Sequence, residues 1–391
     1  MDFSTSPRHR DIARRMAALG RDLQDPGLAE RDRQGHFSRE LWSTLARQRV
    51  HALTVAPEHG GEGFGALDLV FALEALAEHC EDTGLLFALA AHLCACLHPL
   101  ARFGAPALQQ RWLPAIVQEG QIGAHAITEA DAGSDINAMR CTATRDGDGY
   151  RLHGEKRYIT NAPVCDFIVV HARTGQGKGF FDYSAFVLDS RTPGVQVSHK
   201  PHEKVGLRTT AMGDIRFDGA WVHGSQRLGA EGNGGPIFQA SMAWERSCLF
   251  AIYLGAMRRQ LRRTCAHAET RVQFGQPLIA HQAIAHRIAD MHVRLESARL
   301  ACLKAAWALD HEQPSQDAPA MAKLLVSEAS IRNGLDALHI HGASGVLEGD
   351  IERQLRNALP STLFSGGNEV LKDQLLRQLR RELKHGTGQA R

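Results

Sequence analysis

Residues 238–256 read FQASMAWERSCLFAIYLGA, and their apolar positions recur at helical spacing. Phe238, Met242, Leu249, Ile252 and Ala256 are separated by three, four or seven residues, which sets them on one face of a single helix. Glu245 falls on that face, three after Met242 and four before Leu249. A carboxylate moved onto an apolar stripe loses hydration, so it needs a partner, a raised pKa or a task. The helix alone leaves two readings open: an edge carboxylate paired with an arginine such as Arg246, or a group with a chemical role.

Working outward, the texture differs on the two sides of this helix. Upstream, past the glycine-rich break GAEGNGGP at 229–236, short runs of β-branched and aromatic residues occupy 141–145, 150–156, 167–172, 184–188, 195–199 and 213–217. Asp146-Gly147-Asp148-Gly149 between the first two is a hairpin signal. Downstream everything reads as helix. Ile284, Ile288, Met291, Leu295, Ala298, Cys302, Ala305 and Leu309 step alternately by four and three, the seam of an antiparallel bundle. Pro314 and Pro319 punctuate the next connection; further helices follow at 320–341 and 369–383, and the tail from 385 reads as frayed.

The first 120 residues are also helical in pattern. Ser38 opens one helix, and 66–80 forms another with Glu74 and Glu78 at its exposed edge. GGEGFG at 60–65 lacks the GxGxxG spacing and no strand precedes it, so it reads as a loop and not as a dinucleotide cradle. The expected fold is α+β in three parts: an all-helical domain at 1–120, a central β domain at 121–232 and a helical bundle at 233–391.

Composition narrows the function classes. With 45 basic and 43 acidic residues, intermixed, the chain carries no basic field of the kind nucleic acid selects, and no nucleic-acid partner is expected. The longest apolar run, 85–101, is broken by His92 and His98 and reads as a buried helix, so no membrane role is expected. Cys94 and Cys96 beside those histidines imitate a metal cluster, but helix residues two apart do not face each other, and no metal is expected. The start lacks an apolar segment of the secretory kind, and eight cysteines without CxxC spacing suit reduced thiols; a cytoplasmic location is expected.

Several ordered motifs carry a family resemblance. AITEADAGSD at 126–135, GEKRYITNA at 154–162, KVGLRTTAMGDIRFDGAWV at 204–222, TRVQFGQPLIAHQ at 270–282 and RIADM at 287–291 together resemble the acyl-CoA dehydrogenase family along essentially the whole chain. The resemblance implies an N-terminal helical domain, a central β-barrel-like domain, a C-terminal four-helix bundle and bound FAD. It implies that Ile127 and Thr128 line the flavin pyrimidine, with Gly133 allowing close backbone approach. Ser134 then lies where flavin and substrate meet, and Tyr158, Ile159 and Thr160 lie along the isoalloxazine. Arg271, Gln273, Phe274 and Gln282 match the segment that grips FAD from a neighbouring subunit, which implies a homodimer or homotetramer. His339 and Gly342 stand where a further FAD contact lies, although Leu338-His339-Ile340-His341-Gly342-Ala343 lacks the family's usual Gln and paired glycines. Gly366, Gly367 and Asn368 would contribute a last stretch of cofactor contacts.

The implied chemistry is α,β-desaturation of an acyl thioester carried by coenzyme A or an acyl carrier protein, with electrons passed to an electron-transfer flavoprotein or another acceptor. Most of the family carries its base, a Glu, in a C-terminal loop, but LFSGGNE at 363–369 puts Ser365 in that slot. A subset places the Glu on the bundle helix before an Arg, and Glu245-Arg246 occupies that place. The helical-face argument and the motif comparison therefore select the same residue as base. Ser365 would offer its backbone N–H to the thioester oxygen, and Arg246 would face the substrate. Two alternatives keep the same fold: a flavin monooxygenase or oxidase, and a flavin-binding protein without turnover.

Overall fold

The computed structural model describes residues 5–177, 179–313 and 317–386; Pro314 and the end of the tail, 387–391, lie outside the described residues. Seven helices come first: α1 (Pro7–Asp22), α2 (Leu28–Gln34), α3 (Arg39–Arg47), α4 (Ala66–His79), α5 (Thr83–Ala91), α6 (His98–Phe103) and α7 (Pro106–Glu119). The strands β1 (Gly123–Ala126), β2 (Thr142–Asp146), β3 (Gly149–Thr160), β4 (Phe167–Arg173), β5 (Tyr183–Asp189), β6 (Val195–Val197), β7 (Met212–His223) and β8 (Arg227–Leu228) follow. Helices then return as α8 (Gly234–Trp244), α9 (Ala251–Thr270), α10 (Gln282–Asp310), α11 (Asp317–His341), α12 (Asp350–Ala358) and α13 (Asn368–Gly386), with a hairpin of β9 (Val272–Gln273) and β10 (Gln276–Pro277) between α9 and α10.

The chain gathers into two compact units. One comprises Asp22–Leu69 and Asp82–Glu245; the other comprises the residues up to Arg21, Val70–Glu81, and those from Arg246 onward.

In the first unit the strands form an eight-stranded sheet in the order β6-β7-β3-β2-β4-β5-β8, with β1 added parallel to β4. Asp146 pairs with Gly149 across Gly147-Asp148, the two-residue turn that the DGDG run signals. Tyr150, Leu152, Ile168, Val170, Phe186 and Phe217 alternate inward and make its core. The apolar run at 85–101 is helical and buried, but it widens to a π-helical turn at His92–Leu97 between α5 and α6. His92 explains what that turn holds. Its Nδ1 accepts from the Gly123 N–H at 2.9 Å and its Nε2 lies 3.0 Å from the His51 carbonyl, so both ring nitrogens are spent on backbone. Burial pushes its pKa down to about 3, so the ring is neutral.

In the second unit α9, α10 and α11 pack along the expected seam, with Met291, Leu295, Ala298, Cys302 and Ala305 buried. Two expectations need correction, and one helix was missed. Glu74 is not at an exposed edge but 5% exposed, because Arg299 Nε (2.8 Å) and Arg258 Nη2 (2.9 Å) converge on its carboxylate and offset its desolvation. Pro319 does not punctuate a connection; it sits in the first turn of α11, where the missing N–H has no intrahelical partner to lose. α12 was not singled out within the helical downstream region, although Ile351, Leu355 and Ala358 in DIERQLRNA stand at i, i+4 and i+7; three apolar positions among many polar ones make a short signal.

Candidate active site

In the sheet-bearing unit, β1 delivers Ile127 and Thr128 at its C-terminal end and the chain then turns through 129–135. That loop is anchored by a carboxylate. Glu129, 7% exposed, accepts from the Arg140 N–H (2.6 Å), the Cys141 N–H (2.9 Å) and Lys156 Nζ (2.8 Å). Lys156 is fully buried and also donates to the Ile127 carbonyl at 3.0 Å. The Arg157 N–H adds a bond to the Thr128 carbonyl at 2.8 Å. Loop and β3 are thereby fixed to each other, with Gly133 and Ser134 left exposed and open space beside the Gly133 Cα.

β3 reaches this loop through an irregularity. Its register with β7 shifts between Lys156 and Ile159, and inside the shift Tyr158 takes a φ of 61°. Positive φ is strained for an aromatic residue, about 1–3 kcal/mol, and such strain collects where a side chain must be re-aimed. The Tyr158 N–H is held by Asp214 Oδ1 at 3.1 Å and the ring stands 53% exposed. Thr160 is half-buried two residues on. Ile159 departs from expectation: its side chain turns into the sheet core, so only its backbone could meet a cofactor. Asn161 closes the strand, donating to the Ala88 and Gly123 carbonyls at 3.0 and 3.1 Å. An exposed aromatic face, a hydroxyl and a tightly held loop with a glycine opening fit the flat, acceptor-rich ring of a flavin.

The 238–256 stretch is not one helix. α8 ends at Trp244, Glu245–Leu249 forms a π-helical turn, and α9 starts at Ala251. A π turn inserts one residue into the helical count and shifts the faces that follow, a device frequent at functional sites. Met242, Glu245, Leu249, Ile252 and Ala256 are all buried and Phe238 is half-buried. Glu245 is 8% exposed. Its charge is felt on the π turn of 92–97: the Cys96 thiol is pushed up first by burial and then by Glu245. Next to it Trp244 stacks on His98 at 4.2 Å.

In the bundle unit, Arg246 Nε donates to the Ser365 carbonyl at 2.8 Å. Ser365 is 8% exposed with φ 54°, and Gly366 follows at φ 94°. A Cβ on Gly366 would lie 3.0 Å from Arg246 Nη2, so the loop fits closely around the guanidinium. Asn368 is 4% exposed and its amide faces Ser327 and Lys323, which leaves only its backbone for a cofactor. β9 and β10 pair Gln273 with Gln276 across Phe274-Gly275, both at positive φ. Phe274 at that tip is 97% exposed; Arg271, Gln273 and Gln282 are exposed around it. His339 is exposed with Nδ1 2.8 Å from the Leu335 carbonyl, and Gly342 is exposed at φ 61° with open space beside it. Two groups escaped the sequence reading: the Glu129–Lys156 pair, and Lys323 behind the Ser365 loop.

Family models for the acyl-CoA dehydrogenase N-terminal, middle and C-terminal domains match residues 6–120, 124–220 and 232–380. An L-prolyl-[peptidyl-carrier protein] dehydrogenase of Pseudomonas fluorescens is 41% identical over 80% of this chain and 82% of its own length. A solved structure described as an FAD complex of PigA is 39% identical with a TM-score of 0.93, covering 97% of this chain and 99% of that one. That of the prolyl acyl carrier protein oxidase AnaB is 34% identical with a TM-score of 0.93, covering 96% and 100%. Likeness that spans all three domain models, and whole chains at a TM-score of 0.93, leaves one conclusion: the chain belongs to the acyl-CoA dehydrogenase family, flavoprotein oxidoreductases that desaturate acyl thioesters.

Proposed function

We propose that the protein carries out FAD-dependent α,β-dehydrogenation of an acyl thioester with Glu245 as the base that removes the α-proton. One observation carries the assignment: a carboxylate 8% exposed on a helix-breaking turn, in a chain whose C-terminal loop offers Ser365 in place of Glu. A serine has no comparable basicity without a deprotonating partner. Bound FAD supplies the hydride acceptor, N5, for the β-hydrogen. The chain's own residues do the rest. Glu245 takes the α-proton as the C–H bond weakens. The Ser365 N–H donates to the thioester oxygen, where negative charge develops, and Arg246 holds that residue from its carbonyl side. Tyr158 would cover the ring face turned away from substrate, and the loop pinned by Glu129 and Lys156 would hold the pyrimidine edge through Ile127 and Thr128, with Ser134 where flavin and substrate meet.

The favoured substrate handle is the phosphopantetheine of a carrier protein, with an aminoacyl group of the prolyl type. The relatives named for that substrate support it. A homodimer or homotetramer suits the exposed Phe274 hairpin, and a reducing cytoplasm suits eight cysteines without a disulfide. Electrons then leave through an electron-transfer flavoprotein. A second reading, transfer to oxygen, is favoured by the likeness to a structure described as an oxidase.

Glu245→Gln keeps the shape and removes the base, so desaturation should fall about 10²- to 10⁴-fold with flavin content unchanged. Anaerobic bleaching of the flavin by prolyl carrier protein, and by the matching coenzyme A thioester, measures it. Unchanged turnover in the variant would refute the base. Bleaching by the coenzyme A thioester alone would move the substrate to the other handle, and stoichiometric peroxide release in air would select the oxidase reading.

A further inference from the structure

Behind the 363–369 loop lies a buried cation that the reaction above does not use. Lys323, on α11, is fully buried, and its Nζ donates to Asn368 Oδ1. Ser327, one turn along the same face, accepts from Asn368 Nδ2 at 3.2 Å and donates to the Leu324 carbonyl at 3.1 Å. The ammonium also lies 5.8 Å from the centre of the Phe250 ring, which packs against Phe364 at 5.2 Å and Tyr253 at 5.9 Å. The loop is therefore gripped at two points by cations: Arg246 at the Ser365 carbonyl and Lys323 at the Asn368 side chain. Between these grips lie the two positive-φ residues, Ser365 and Gly366.

An isolated ammonium inside a fold is expensive, and replacing it with an apolar residue would remove that expense. Its place under this loop is explained if the loop needs it. We propose that Lys323 is a positioning residue for the dehydrogenation, its ammonium fixing Asn368 and thereby the Ser365–Gly366 backbone that faces the thioester oxygen. The inference rests on the function proposed above. It also makes the loop sensitive to pH. Burial first, and then the charge of Arg246, lower the Lys323 pKa to about 8, with Lys372 acting the same way and Glu369 and Glu328 opposing. As pH rises through about 8 the grip on Asn368 loses its charge, so activity should fall on the alkaline side.

The test compares the flavin-loaded wild type with Lys323→Met and Asn368→Asp, reading kcat against pH and hydrogen exchange of the 363–369 segment. Lys323→Met should lower kcat about 10- to 100-fold with little change in KM, abolish the alkaline limb and speed exchange in the loop. Asn368→Asp sets a carboxylate beside the ammonium, so the limb should move to higher pH while the loop stays protected. It keeps the lysine, so it tests the idea even if Lys323→Met folds poorly. Unchanged exchange together with an unmoved limb in both variants overturns the proposal. Should the wild type desaturate no thioester while exchange still responds as described, the reaction assignment falls and the loop-fixing role stands.

Discussion

At the scale of single residues, the most consequential pair is Glu129 and Lys156. Neither can be buried alone: removing one partner of such a pair costs about 3–5 kcal/mol, because the other is left charged without compensation. Glu129→Ala should therefore lower the melting temperature sharply and shed flavin, since the loop at 127–135 loses its tie to β3. Lys156→Met combined with it should recover part of the stability; a double variant no better than the single would contradict the pairing. This pair was invisible in the sequence because its members are 27 positions apart and meet only once β3 lies against the loop. Glu245, by contrast, was legible, since its conflict with an apolar stripe is local and helical spacing exposes it. Glu74 poses the same conflict on α4 and was read as exposed; what buries it are arginines 184 and 225 positions away, which no local pattern reports.

At the scale of elements, helical periodicity located α4, α10, α11 and α13, while α1 and α7 were read only as part of a helical region, and it could not show where the period changes. The π turns at His92–Leu97 (HLCACL) and Glu245–Leu249 (ERSCL) contain no glycine or proline and no other residue that signals a change of period to a sequence reading. The hairpin of β9 and β10 was missed for a related reason: its turn is Phe-Gly, without the Asn-Gly or Asp-Gly signal that marks such turns. The turn at Gly147-Asp148 was legible for the opposite reason. The 363–369 loop is the element on which the proposed chemistry is most exposed to small change. Gly366→Ala would set a methyl 3.0 Å from Arg246 Nη2 at a φ of 94°, where an L side chain is strained. Turnover should drop at least about tenfold while flavin affinity and melting temperature move little, because a misplaced donor harms the transition state most. Wild-type kcat in this variant, measured at saturating thioester, would separate the loop from catalysis.

At the scale of the whole molecule, the order of helix, sheet and helix was readable from texture alone, and the motifs supplied its meaning. The compact units were not readable: α1 and residues 70–81 group with the residues from 246 onward, a partition set by long-range packing. The bundle also carries a phenylalanine 97% exposed at the first position of a two-residue turn, the residue on which the proposed assembly can be tested. Phe274→Ser should leave the fold of the subunit intact and lower both the assembly state and the retained flavin, followed by sedimentation and flavin absorbance on the same samples. Full flavin content in a subunit of unchanged assembly would remove Phe274 from the cofactor's surroundings. The turn itself sets two selective pressures against each other. With φ values of 51° and 78°, it is a conformation in which Asn-Gly is the preferred pair, and an aromatic at the first position is held there against its own backbone preference by about 1 kcal/mol. A screen that ranked variants of the isolated subunit by heat resistance would favour Asn at 274. If the proposed assembly uses this tip, such a screen would breed a hardier chain that assembles less well.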